Sequence, residues 1–322
     1  MNQDEPNRSG LSAPEKKRQL FLRQKELLLT FLERGAISQA QFDKSYGDLC
    51  RKMGFESEND RKSETEEIKM KDDRIFVEGH RGYCAEYPEN TLLSYEKAID
   101  LGVDGIEFDV WLTSDKVPVL MHDGNAFRTC GVNRHLRDMT LEEVKQMEAA
   151  FPSKFGDRFV GMGDPVRVPT LEELLRLCAR KRPDLVLGVE IKEYTEETVD
   201  LTVALLKRYG FFDDCCFYAF NARIIRYLKT RYCARTMGYP DFQMKEWTPG
   251  SYDFYDEIGL SLALVRSEIF PIYQAKNLPI HMYCADNPDD VSLCADRGAV
   301  LITANDPVPL MRYLGLEPNP KS

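Results

Sequence analysis

The chain has 322 residues, 43% of them hydrophobic and 30% charged, which suits one domain of about 250 residues with its own core plus an appendage. Its formal net charge is −10 with no Lys/Arg-rich block, which argues against a nucleic-acid partner. Nine irregularly spaced cysteines without a Cys-x-x-Cys pair point to reduced thiols, and no run of about 18 apolar residues is present to span a membrane. The first 20 residues are polar and charged and lack a signal-peptide pattern, so the expected location is cytoplasmic. Residues 1–13 are expected to be disordered. Apolar residues Leu20, Phe21, Leu27, Leu28, Leu29, Phe31 and Leu32 fall at helical spacing within 14–33. Ser38 followed by Gln41 reads as a capping box opening a second helix, Gln39 to Met53. Residues 1–54 therefore read as a small helical hairpin with a disordered start, suited to packing or to forming a homo-oligomer. Residues 55–73 are nearly all polar or charged and read as a charged linker or an exposed helix.

From Arg74 the pattern changes to strand–helix alternation over 74–322. Strand candidates are Ile75–Gly79, Gly105–Leu112, Leu185–Ile191, Cys215–Phe220, Arg235–Tyr239, Leu260–Val265, Pro279–Cys284 and Ala299–Thr303. Helix candidates between them are Thr91–Leu101, Leu141–Ala149, Leu171–Lys181, Thr195–Tyr209, Ala222–Arg231, Ser267–Lys276 and Pro288–Arg297. Eight strands separated by helices predict an α/β fold, a (β/α)₈ barrel. Val117–Asp123 follows Leu112 through the short Ser114-Asp115-Lys116 turn, too tight for a parallel crossover. It reads as a hairpin return that brings His122 back beside Glu107 and Asp109.

Four strand-end segments concentrate the chemistry: His80-Arg81-Gly82, Glu107-Phe108-Asp109, His122-Asp123 and Glu190-Ile191-Lys192. Glu107 and Asp109 are two apart and share a strand face. Like charges side by side need a cation or a proton between them, and Glu190 adds a third oxygen donor. Three carboxylates suit Mg²⁺ or Ca²⁺ better than zinc. Arg81 and Lys192 are the candidate phosphate binders. His80 and His122 can supply a proton acceptor and a proton donor, which displacement of an alkoxide from a phosphodiester requires. Asp123 either orients an imidazole or caps a turn. His135 is expected in a solvated loop and His281 in the core.

With these residues assembled, the chain resembles the glycerophosphodiester phosphodiesterase family. The matching text is His80-Arg81-Gly82, Pro88-Glu89-Asn90-Thr91, Glu107-x-Asp109-Val110, Val119-x-x-His122-Asp123, Arg128-Thr129, Val168-Pro169-Thr170-Leu171-Glu172-Glu173 and Glu190-Ile191-Lys192, in order. The resemblance covers roughly Arg74 to Leu314. It implies a TIM barrel that hydrolyses glycerophosphodiesters, small-molecule substrates, to sn-glycerol 3-phosphate and an alcohol. Carried over by position, it implies Glu107, Asp109 and Glu190 as metal ligands and His80 with His122 as the acid/base pair. Arg81 and Lys192 become phosphate binders, and Glu89 and Asn90 line the site. It further implies attack by the glycerol 2-hydroxyl to give a cyclic phosphate that water opens.

The sequence departs from the family in two places. Where the family has a Trp-Thr-x-Asn strand, this chain has Tyr283-Cys284-Ala285-Asp286, and where it has Ser-Phe, this chain has Ala219-Phe220. Phe220 and Tyr283 keep aromatic walls, while Asp286 reads either as a helix cap before Pro288, a place Asn287 also suits, or as a site for a cationic alcohol. Trp247–Tyr255 is expected as a loop over the pocket. The same chemistry would serve a phospholipase D-like hydrolase of lysophospholipids. A non-catalytic barrel that binds phosphate esters is the reading from another class, and the intact acid/base and carboxylate set argues against it.

Overall fold

Strand periodicity and helix caps set the architecture from Arg74 onward. A computed structural model describes residues 74–318 except 152 and 153, and scattered positions between Leu20 and Lys52. The chain divides into two units, Met1–Asp73 and Arg74–Ser322. In the first, Leu20, Gln24, Leu27, Leu28, Thr30 and Phe31 are helical, as are Gln41, Lys44, Ser45, Asp48, Leu49 and Lys52. Between them Ser38 N donates to Gln41 Oε1 at 2.8 Å and Gln41 N donates to Ser38 Oγ at 3.3 Å, the reciprocal pair of a capping box. The start expected over 1–13 and the linker expected over 55–73 lie outside the described residues.

Among its described residues the second unit carries nine strands: β1 (Phe76–Gly79), β2 (Gly105–Leu112), β3 (Pro118–Leu120), β4 (Val186–Ile191), β5 (Cys215–Tyr218), β6 (Thr236–Gly238), β7 (Glu257–Ser261), β8 (Ile280–Tyr283) and β9 (Ala299–Ala304). The order β1-β9-β8-β7-β6-β5-β4-β2, closed by β1 pairing with β2, makes an eight-stranded parallel barrel. Helices cross between strands, so the (β/α)₈ expectation holds. β3 pairs antiparallel with β2, Val110 opposite Leu120, which is the hairpin return read from the short turn. Helix starts follow their caps. Thr170 and Glu173 form a capping box at Leu171–Lys181, and Thr91 accepts from Ser94 N at Leu92–Leu101. Alternation sends Ile106, Phe108, Val110, Leu187, Val189 and Ile191 into the buried layer between sheet and helices.

Three element expectations are corrected. The strand expected over Leu260–Val265 runs over Glu257–Ser261, and Leu262–Val265 is helical. The charge of Glu257 masked an inward strand position, because its buried carboxylate is paired with Arg235 and His281. The helix expected over Leu141–Ala149 ends at Val144, since the chain then leaves to bridge Glu148 to Arg167. The helix expected over Ser267–Lys276 spans only Phe270–Gln274, with Pro271 in its first turn. Between β6 and β7 the crossover holds two 3₁₀ segments, Asp241–Gln243 and Pro249–Phe254, and a final helix, Val308–Tyr313, follows β9.

The barrel interior beneath the strand ends is polar rather than aliphatic. Glu78 accepts from Tyr218 Oη at 2.9 Å and from Thr303 Oγ1 at 2.7 Å. His281, expected in the core, is 1% exposed and sits against Glu257. Gly188 leaves room for this layer, because a Cβ there would lie 2.5 Å from Glu78 Oε1.

Candidate active site

The turn after β1 places the first cluster. Arg81 and Gly82 take φ of 51° and 88°, and a Cβ at Gly82 would meet the Ser94 backbone at 2.5 Å, so glycine is required there. This turn lets Arg81 N donate to Glu107 Oε2 at 3.0 Å. It also sets His80 Nδ1 2.7 Å from Asn305 Oδ1 and His80 Nε2 3.9 Å from Glu107 Oε2.

Strand register places the second. Asp109 on β2 is paired with Glu190 on β4. Glu107, Asp109 and Glu190 each offer an oxygen within 4.8 Å of the others, all three buried. Lys192 Nζ lies 2.6 Å from Glu190 Oε1 and 3.1 Å from Asp109 Oδ1, and Arg81 Nε lies 3.3 Å from Asp109 Oδ2. The two expected phosphate-binding cations are thus also the charge partners of the carboxylates.

The β2–β3 hairpin brings in the third. Met121 N donates to Asp109 O at 3.1 Å, and His122 follows directly. His122 Nδ1 lies 2.7 Å from Asp123 Oδ1, so Asp123 orients the imidazole next to it. Arg128 Nε donates to Asp123 Oδ2 at 2.5 Å, and its other nitrogens reach Glu89 at 2.7 and 2.8 Å. Glu89 also accepts from Arg81 Nη1 at 2.9 Å. One chain of polar contacts therefore runs from His122 through Asp123, Arg128, Glu89 and Arg81 to Asp109.

Burial and charge push the groups apart. Burial and the neighbouring Asp109 raise the Glu107 carboxyl well above the carboxylate range. Burial also raises Glu190, against the opposing charge of Lys192. Asp109 goes the other way, because Lys192, Arg81 and His122 outweigh its burial. Burial and Arg81 lower His80 to about 4, so its imidazole is neutral near pH 7. Glu107 Oε1 is buried and has no hydrogen-bond partner among the described residues. A crowded oxygen-only set with an unsatisfied oxygen fits a hard divalent cation.

The remaining expected residues divide. Phe220 stacks on Tyr239 at 3.7 Å, Tyr283 meets Tyr239 edge-on at 5.9 Å, and Lys192 Nζ lies 6.0 Å from the Phe220 ring centre. These rings make one aromatic wall, and Tyr239 is a member that the sequence reading left unassigned. Asn90, expected to line the site, is 1% exposed. Its Nδ2 donates to Asp109 Oδ2 at 2.8 Å and its Oδ1 accepts from Tyr95 Oη at 2.6 Å, so it holds a carboxylate from behind. His135 is not free in solvent, since it packs edge-on against Trp111 at 5.1 Å. The Trp247–Tyr255 stretch folds onto the core, with Tyr255 buried against Gly238. Asp286 is not the helix cap, because Asn287 accepts from Asp290 N. Arg128, known from sequence only as part of a matching segment, and Asn305, which no segment marks, both join the site, and neither lies on a strand face. Beside the cluster is a cavity of about 380 Å³ lined in part by Arg81, Glu89, Arg128, Phe151, Phe155 and Phe159.

The sequence model of the Glycerophosphoryl diester phosphodiesterase family matches residues 80–308. A glycerophosphodiester phosphodiesterase of Caldanaerobacter subterraneus subsp. tengcongensis is 35% identical over 159 residues, which is 48% of this chain and 62% of that protein. One from Bacillus subtilis is 36% identical over 134 residues, 37% of this chain and 44% of that protein. The chain thus spans less than two thirds of the length of either relative. A phosphodiesterase of Oleispira antarctica, solved with the product sn-glycerol-3-phosphate, superposes with a TM-score of 0.64 at 20% identity, covering 74% of this chain and 96% of that one. The glycerophosphodiester phosphodiesterase of Agrobacterium tumefaciens superposes with a TM-score of 0.60 at 21% identity, covering 74% and 100%. At these identities the two structures establish the fold. Among the described residues no helix is long and apolar enough to cross a membrane.

Proposed function

The chain belongs to the glycerophosphoryl diester phosphodiesterase family, and from that premise we propose that it hydrolyses glycerophosphodiesters to sn-glycerol 3-phosphate and an alcohol. The observation that carries the reading is the buried trio Glu107, Asp109 and Glu190, flanked by Arg81, Lys192 and two imidazoles at the strand ends. Arg81 and Lys192 supply fixed positive charge for the nonbridging phosphate oxygens. A divalent cation, Mg²⁺ or Ca²⁺, held by the trio would polarise the phosphoryl oxygens and lower the pKa of the attacking hydroxyl.

The histidine environments suggest their order of use. His80 is backed by a neutral amide and sits beside Arg81, so it is suited to accept a proton. His122 is held at Nδ1 by the Asp123 carboxylate, which fixes the ring and leaves Nε2 for proton transfer, so it takes the donor's place opposite His80. In the first step His80 Nε2 takes the proton of the glycerol 2-hydroxyl. That oxygen bonds to phosphorus, the bond from phosphorus to the alcohol oxygen breaks, and His122 protonates the departing alcohol. In the second step His122 takes a proton from water, which attacks the cyclic phosphate. The ring oxygen leaves and recovers its proton from His80. Phe220, Tyr239 and Tyr283 wall the side on which the substrate's organic part would lie.

An assay of glycerophosphocholine, glycerophosphoethanolamine and glycerophosphoglycerol with Mg²⁺ or Ca²⁺ tests the reading. Release of sn-glycerol 3-phosphate that falls by at least about 10²-fold in His80→Ala and His122→Ala is the expected result. Cleavage on the other side of phosphorus, or full turnover in both variants, would defeat it.

A further inference from the structure

We infer that Asp286 and Asn305 are positioning residues that fix the tautomer of His80, keeping its proton on Nδ1 and leaving Nε2 as the acceptor. The catalytic consequence rests on the reading of His80 as the base of a diester hydrolysis. The geometric part stands without it.

Asp286 follows β8 and Asn305 follows β9, on adjacent barrel strands. Asp286 Oδ1 accepts from Asn305 N at 2.7 Å and from Asp306 N at 3.0 Å. Asp286 Oδ2 lies 2.7 Å from the terminal side-chain atom Nδ2 of Asn305. A carboxylate only accepts hydrogen bonds, so the atom facing it must be the amide nitrogen. Asn305 Oδ1 is then turned the other way, 2.7 Å from His80 Nδ1 and 3.0 Å from Cys84 Sγ. An amide oxygen carries no hydrogen, so the proton in the contact with His80 must belong to Nδ1. The lone pair of the neutral ring is left on Nε2, which faces Glu107 Oε2. Flipping the Asn305 amide would set two acceptors against each other at Asp286. Asp286 thus decides which nitrogen of His80 can take a proton, although it never touches the ring.

This geometry also displaces the two tasks that sequence offers for Asp286. The cap of Pro288–Asp296 is supplied by Asn287. A cationic alcohol would have to compete for oxygens that already accept three N–H groups.

The test combines ¹⁵N-histidine NMR with kinetics, using the full chain with Mg²⁺ present. With only four histidines, the labelled spectrum can be assigned by single His→Gln variants. Neutral wild-type His80 is expected as the Nδ1–H tautomer, and Asp286→Ala as a mixture of both. In the same variant kcat is expected to fall about 10- to 100-fold while KM stays within about two-fold. Asn305→Asp sets two carboxylates face to face and is expected to lose activity as well. The exchange D286N/N305D rebuilds the pattern. The amide now at position 286 accepts the two backbone N–H groups on its oxygen and donates through its nitrogen to the carboxylate now at position 305. That carboxylate in turn accepts from His80 Nδ1. The double variant is expected to recover most of the wild-type kcat and the single tautomer. An Nε2–H tautomer in the wild type, or an unchanged His80 spectrum in Asp286→Ala, overturns the inference. If the wild type turns over no glycerophosphodiester, the activity reading fails while the tautomer measurement still decides this one.

Discussion

Lys192→Met isolates the electrostatics of the carboxylate trio, because methionine keeps most of the stem and removes only the charge. Lys192 is 11% exposed and contacts Glu190 and Asp109 at 2.6 and 3.1 Å. At an effective dielectric of about 20, those separations correspond to attractions of roughly 6 and 5 kcal/mol. Dehydration of the ion pairs cancels much of this, and removing one partner of a buried pair costs about 3–5 kcal/mol net. In a domain of this size about 1 kcal/mol moves Tm by about 2–4 °C, so the variant should melt roughly 6–20 °C below wild type in EDTA. A bound divalent cation would replace the missing charge. Adding Mg²⁺ or Ca²⁺ should therefore raise the Tm of Lys192→Met by more than it raises that of wild type. Thermal melts by circular dichroism, in EDTA and across a metal titration, read both quantities. Equal melting in EDTA together with equal metal responses would refute the picture of a buried, charge-deficient cluster.

Other consequences can be measured separately. The Glu257 carboxyl is fully buried, yet His281 and Arg235 overcome that burial and hold it down to about 2, against 4.5 for an ordinary glutamate. A depressed carboxylate adds stability that is complete above its unfolded value and is lost as pH falls from about 4.5 towards 2. Glu257→Gln should thus flatten that acid limb in urea unfolding, and an unaltered limb would count against the assignment. Gly188→Ala drives a Cβ to 2.5 Å from Glu78 Oε1 and 2.8 Å from Tyr218 Oη. A loss of about 1–3 kcal/mol in chemical denaturation is expected, and a neutral result would mean that the interior polar layer yields easily. Asp123→Asn removes the carboxylate behind His122 and should lower kcat by about 10²-fold with little change in KM. An unchanged kcat would deny Asp123 its orienting role.

Much of the barrel can be read from period and caps. Gly105–Leu112 and Leu171–Lys181 have the expected bounds, because an apolar outward face and a Thr-x-x-Glu box each speak locally. The short Ser114-Asp115-Lys116 turn gives away the hairpin for the same reason. The start of β7 is misplaced because its first residues include Glu257 and Gly259, and the charge at Glu257 is compensated by Arg235, just before β6, and by His281 on β8. No local pattern reveals such a partner. The candidate site divides along the same line. Glu107 and Asp109 share a face of β2 at period-two spacing, Glu190 lies on β4 and the two histidines follow β1 and β3, whereas Asn90 carries a motif but its buried amide serves Asp109. Arg128, Asn305 and the role of Asp286 depend on contacts between segments distant in sequence. Asp286 looks like a cap because it precedes Asn287 and Pro288, and only the parallel pairing of β8 with β9 brings it to Asn305.

In the proposed reaction the three buried carboxylates hold a divalent cation needed to cleave a glycerophosphodiester. Release of sn-glycerol 3-phosphate from glycerophosphocholine should be measured after exhaustive EDTA treatment and again after Mg²⁺ or Ca²⁺ is restored. Release is expected to stop on chelation and return with the metal, and Glu190→Gln to need more metal to regain it. Full activity in the metal-free protein would contradict it.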